Sequence, residues 1–242
     1  MKARNLRRDF ADYVSSQPGA RFSEWLRDEA EPCWTRMVGH RMTRDMAADS
    51  LPADVLRRYL LYEHDFVETA VTILGHALVK APGVAEQTRL VAALQGLVTD
   101  QLAWFRRVFG ALGVSDDQRV VTDPPPAVSA FRDGMLSLAA HGSYEEIIAA
   151  MAAAEWMYLT WSRAAHARRP KNPVCGEWIA LHVARPFVDQ VAWLRDGLDR
   201  LGPQLAPARQ RQLAVAFRRT LILEIGFHDA PYEEPATRQG GS

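Results

Sequence analysis

One stretch limits the possible folds more than any other: Ser143 to Trp161, SYEEIIAAMAAAEWMYLTW. Ser143 followed three residues later by Glu146 has the pattern of a capping box. In it the hydroxyl accepts from the Glu146 N–H and the carboxylate reaches back to the Ser143 N–H. Ala, Ile and Met then fill every side of the helix. A helix that is apolar all round is buried, so the rest of the chain must surround it. One carboxylate, Glu155, stands inside the apolar run, with Tyr158 one turn on and on the same face. A buried charge without a partner shifts its pKa or finds a partner. Glu155 is therefore either half of a structural ion pair or a working group, and the helix alone leaves both open.

What surrounds this helix is predicted to be more helix. No Asn-Gly or Asp-Gly hairpin turn and no sustained alternation of β-branched residues occurs. Helical periodicity recurs instead, punctuated by Pro and Gly. A first helical segment is predicted from Phe22 to about Gly39, broken or kinked at Pro32. A long helix follows to about Lys80, with Ser50 as its cap and Pro52 in its first turn. Further helices are predicted over 85–112 (closed by Gly113), about 127–140, 143–161, 174–201 with a bend at Pro186, and about 207–228. This is an all-α fold, a single-domain helical bundle of about seven or eight helices. With 242 residues and 48% hydrophobic residues, the chain can bury a sizeable core. The expected division is an N-terminal extension over 1–20, a helical domain over 21–232 and a disordered polar tail over 233–242.

Charge and cysteine usage narrow the function classes. Lys+Arg and Asp+Glu are equal at 29 each, so there is no basic excess for nucleic acid or an anionic membrane. No recognisable helix-turn-helix is present, which argues further against DNA contact. No run approaches a membrane span, and the first residues lack the apolar stretch of a secretory signal. Cys33 and Cys175 are too few for a disulfide framework or zinc site, and a reducing cytoplasm is the expected compartment. Cys175 follows a basic loop at a helix start, where its pKa could be lowered.

Three acids fall inside apolar helical surroundings on three different helices: Glu63 in YLLYEHDF, Glu155 in AAAEWMY and Glu224 in TLILEIGF. Carboxyls in differing environments let one pocket hold an acid and a base together. Rings lie near each acid: Tyr59 and Phe66 by Glu63, Tyr158 by Glu155, and Phe227 and His228 by Glu224. Flat rings with a few placed polar groups suit a planar heterocycle, although any one ring can equally be core. The Glu-x-x-His step of carboxylate-bridged metal bundles is absent around these acids. No metal and no other cofactor is expected.

Four blocks resemble the TenA/thiaminase II family, in the wider haem-oxygenase-like helical fold. They are His40 with Ser50-Leu51-Pro52 and Tyr59 to Glu63; Gly142 to Tyr158; Glu177 to Val191; and Glu224 to Tyr232. The last is similar to that family's closing E-x-x-F-W-x-x-A-Y segment. The resemblance implies hydrolysis of aminopyrimidines in thiamin salvage, with a cysteine nucleophile, a glutamate acid/base on the last helix, and an aspartate with tyrosines gripping the pyrimidine. Residue by residue, Glu224 and Tyr158 match. Ala154 stands in the cysteine's place, Glu63 in the aspartate's, and Phe66, Phe131 and His182 in those of three tyrosines. The chain thus resembles a cysteine-less branch in which a glutamate takes over, and Glu155 beside Ala154 is the candidate. Glu155 and Glu224 are the candidate catalytic residues. Glu63, Tyr59, Phe66, Phe131, Tyr158, His182 and Phe227 are the candidate binding residues for a pyrimidine-like heterocycle. The resemblance also suggests a homodimer or homotetramer. The alternative is a non-hydrolytic member of the fold: a small-molecule binding protein, or an oxidase acting on another heterocycle. The exchanged tyrosines motivate it.

Overall fold

The computed structural model describes residues 9–233. Residues 1–8 of the expected extension and 234–242 of the expected tail lie outside the described residues. In chain order the α-helices are α1 (Phe10–Ser16), α2 (Phe22–Glu29), α3 (Cys33–Val38), α4 (Arg41–Ala47), α5 (Ala53–Lys80) and α6 (Val84–Gly96). They continue as α7 (Leu102–Ala111), α8 (Pro126–His141), α9 (Tyr144–His166), α10 (Pro173–Leu181), α11 (Arg185–Leu201) and α12 (Pro207–Asp229). Among the described residues no strand occurs, so the fold is all-α. No helix there is long and apolar enough to cross a membrane.

The bundle is arranged around α9, the helix that carries Glu155. It packs against α12, α11, α10, α8, α5, α4 and α3. Ala149, Ala150, Ala152 and Ala153 are fully buried, and their small side chains allow neighbouring helices on every side. The capping box forms as read: Glu146 N–H donates to Ser143 Oγ and Ser143 N–H donates to Glu146 Oε2 at 2.9 Å. Arg209 on α12 donates to the same hydroxyl at 2.8 Å, so the start of α9 is tied to its main neighbour. Lys80, the last residue of α5, donates to the carbonyls of Ala139, Ala140 and Gly142. It thereby closes the orphaned C-terminus of α8.

The helices are more finely divided than the sequence reading, each time for a local reason. Pro32 does break the first segment, between α2 and α3. The separate α4 was not expected: its cap is His40, whose Nδ1 accepts from Met42 N–H, and histidine is not among the usual caps. Ser50 does not cap α5. Its hydroxyl turns back to the Asp45 carbonyl, and Pro52 sits at the cap position, outside the first turn. The expected 85–112 helix contains a π-helical turn over Leu97–Gln101. The expected bend at Pro186 is a full break, with His182 to Ala184 between α10 and α11 and Pro186 in the first turn of α11. Residues 10–16 of the presumed extension form α1, whose Phe10 ring packs on Phe22 and Trp25 and whose Tyr13 hydroxyl donates to Asp28.

Candidate active site

A cavity of about 560 Å³ opens beside α9. Its walls come from α5, α6, α8, α9, α10, α11 and α12, from the π-helical turn, and from the break after α10. The three acids converge on it: Glu63, Glu155 and Glu224 all line the cavity. So do Phe66, Phe131, Tyr158 and His182. Tyr59 and Phe227 do not, and stand one layer behind. Phe227 packs on Phe131 at 5.0 Å between ring centroids. Ala154 lines the wall next to Glu155.

At one pole, a chain of hydrogen bonds holds Glu63. Trp178 Nε1–H donates to Tyr59 Oη at 3.1 Å, the Tyr59 and Tyr158 hydroxyls meet at 2.8 Å, and Tyr158 donates to Glu63 Oε1 at 2.5 Å. Tyr59 and Glu63 are one turn apart on α5, so both reach Tyr158 from one face. Burial raises the Glu63 carboxyl to about 7 against the pull of the two tyrosine hydrogen bonds. Glu224 is raised well above the ordinary carboxylate range, first by burial and then by the charge of Glu63. It is 3% exposed. His228 lies 3.5 Å from Glu224 Oε2, but this is no ion pair. Burial lowers that imidazole to about 3, and its Nδ1–H is committed to the Glu224 carbonyl at 2.8 Å. Its Nε2 faces the Tyr158 hydroxyl at 3.3 Å, whose one proton is given to Glu63.

Rings form the flat walls. Phe66 and Phe131 stack on each other at 4.5 Å with 21° between planes. Two rings that close leave no slot between them, so they present one apolar surface. His182 stacks on Tyr158 at 4.7 Å. Its Nδ1–H donates to the Trp178 carbonyl, and burial lowers it to about 4, so it stands as a neutral ring.

Glu155 occupies a different environment. Burial raises it from 4.5 to about 8, opposed only by the amide of Gln190. Its Oε2 is buried without a hydrogen-bond partner among the described residues. Among the described residues no cation is paired with Glu155. The cysteines stand apart from this chemistry. Burial pushes the Cys175 thiol up to about 12, opposite to the lowering its helix-start position suggested. Trp178 and Gln190 were not singled out in the sequence. Trp178 lies one turn before His182, a spacing that could have flagged it, whereas nothing local marks Gln190.

The profile of the TENA/THI-4/PQQC family matches residues 27–234 of this chain. The chain belongs to the TENA/THI-4/PQQC family. TENA/THI-4/PQQC relatives at low identity carry a named activity. An aminopyrimidine aminohydrolase of Halalkalibacterium halodurans is 22% identical over 215 residues, covering 88% of this chain and 96% of the relative. Another of that name, from Bacillus subtilis, is 22% identical over 171 residues, covering 71% and 72%. A TenA homologue from Pyrococcus furiosus superposes with a TM-score of 0.79 at 20% identity, covering 87% of this chain and 100% of that one. At that identity the likeness shows a shared fold.

Proposed function

We propose that the protein is a hydrolase of aminopyrimidines in thiamin salvage that works without a cysteine nucleophile. The observation that carries this reading is the convergence of Glu63, Glu155 and Glu224 from three helices on one ring-walled cavity, with Ala154 beside Glu155. The relatives named aminopyrimidine aminohydrolase support the substrate class.

The environments suggest the division of labour. Glu63, near 7 and held by Tyr158, can accept from an exocyclic amino group or donate to a ring nitrogen. It therefore grips the polar edge of an aminopyrimidine, whose face lies on the Phe66 and Phe131 surface. Glu224, kept protonated by burial, is the acid that gives its proton to the departing amine. Glu155 takes a proton from the attacking water. The new C–O bond forms at the exocyclic methylene, the C–N bond breaks, and ammonia leaves. Incubating the purified protein with an aminomethylpyrimidine should release ammonia and the hydroxymethyl product in equal amounts. A substrate that binds but is never turned over would overturn the reading.

The Phe66–Phe131 stack, where the resemblance expects tyrosines, favours a second reading: a non-hydrolytic protein that binds a less polar heterocycle. Thermal shift separates the two. A ligand at 100 times its dissociation constant stabilises by about 2.7 kcal/mol, and a response to another ligand class with none to pyrimidines favours the second. We infer further that the protein works in the cytoplasm as a homodimer or homotetramer. The exposed Val84, Val91 and Val98, spaced at sevens along α6 and the π-helical turn, support a subunit contact. Light scattering of the purified protein tests it.

A further inference from the structure

Gln190 is the one cavity residue whose amide bears on Glu155. It projects from α11, one turn after Phe187, which lines the same wall. Two buried polar atoms of residues that line this cavity have no hydrogen-bond partner among the described residues: Glu155 Oε2 and Gln190 Nε2. The amide is close enough to favour the carboxylate, yet its Nε2 completes no hydrogen bond. Buried polar atoms left unpartnered are costly and mark a working site or a bound polar molecule. The pair offers one acceptor and one donor. The group that satisfies both at once has a hydrogen to give and a lone pair to receive, and water does both with a single oxygen.

We propose that Gln190 is a positioning residue for the hydrolytic water: its Nε2–H donates to the water oxygen while Glu155 accepts a water proton. This rests on the hydrolase reading above. The amide fixes which lone pair of the water faces the substrate and keeps the water on Glu155 as the proton moves. The step balances: the water oxygen bonds to the methylene carbon, its proton passes to Glu155, and the amine leaves with the proton of Glu224. Gln190 neither gains nor loses a proton.

The other ionisable groups facing the cavity are Glu63 on α5, Arg89 on α6, Asp100 on the π-helical turn and Tyr158 on α9. His182 at the α10–α11 break, Asp189 on α11 and Glu224 on α12 complete the set. Asp189 is paired with Arg185.

The test is the pH dependence of ammonia release by Gln190→Leu and Gln190→Glu. Losing the amide's hydrogen bond to the water should lower kcat for Gln190→Leu by roughly 2- to 10-fold with KM little changed. The acid limb of kcat/KM should move to higher pH in both variants. The shift should be larger for Gln190→Glu, which places a like charge beside Glu155. Gln190→Glu is nearly isosteric, so it serves if Gln190→Leu fails to fold. Unmoved limbs in folded variants, with kcat as in the parent, would overturn the proposal. If the parent protein turns over no aminopyrimidine, the hydrolase reading is what fails. Titration of the ¹³C-labelled Glu155 carboxyl in the parent and in Gln190→Glu then tests the pairing by itself: an upward shift supports it and an unmoved titration overturns it.

Discussion

At the residue scale, one physical effect dominates the site: burial of carboxyls. Glu63, Glu155 and Glu224 are all raised, and burial is the first cause in each. What separates them is the second cause: two tyrosine hydroxyls for Glu63, an amide for Glu155, a neighbouring carboxylate for Glu224. The three environments thereby differ, the condition under which one cavity can hold an acid and a base together. A base must be ionised to act. With Glu155 at about 8, kcat/KM should climb with pH through about 8, and a pH–rate profile checks it. A profile flat from pH 6 to 9 would remove Glu155 as the base. The hydroxyl at Tyr158 has a separate task, since it holds Glu63 at 2.5 Å. Tyr158→Phe should weaken substrate binding by roughly tenfold or more, the effect of losing a hydrogen bond to a charged group, with KM as the readout.

At the scale of the elements, the sequence reveals the helices better than their ends. The apolar run of α9, its capping box and the Pro32 break are local patterns, so they could be read directly. The His40 cap of α4, the π-helical turn and the full extent of the break before α11 carry no such pattern, since histidine is not among the usual caps and one proline marks a break without its length. The same division holds for the site. Acids in apolar helices stand out in sequence, so Glu63, Glu155 and Glu224 were legible as candidates. The partners Trp178 and Gln190 were not, because an isolated Trp or Gln on a half-buried helix looks like any other. Nor could periodicity show that Phe66 and Phe131 stack on each other, which depends on how α5 meets α8. Two caps set the position of the central elements. Ser143→Ala should cost about 1 kcal/mol, the usual loss of a helix cap. Lys80→Met, which strips three carbonyls at the end of α8, should cost about 1–3 kcal/mol. Urea midpoints at constant slope measure both.

Over the whole molecule, the site makes stability depend on pH. A carboxyl raised on folding keeps its proton where the unfolded chain has lost it. Its contribution is therefore complete below about 4.5 and is lost as pH rises through the folded value, about 7 for Glu63 and about 8 for Glu155. Two lowered imidazoles act the other way. His182 and His228, lowered from 6.5 to about 4 and about 3, lose their contributions as pH falls below 6.5. Above pH 6.5 only the carboxyls remain in play, so the melting temperature should fall from pH 6.5 to 8.5. Glu155→Gln should flatten that fall and melt above the parent at pH 8.5, the pattern of a group kept for activity at a cost in stability. Differential scanning calorimetry across that range reads both. A parent protein whose melting temperature rises over the same interval would contradict the buried-carboxyl account.

The same substitution tests the central claim most directly: that Glu155 supplies the base in a cavity where Ala154 stands in the place of a cysteine. The measurement is single-turnover release of ammonia from an aminomethylpyrimidine at pH 8 by the parent and by Glu155→Gln. A positioned general base contributes about 10²–10⁴ in rate, so the variant should be slower by that factor while still binding the substrate. Equal rates for the two proteins would contradict the claim.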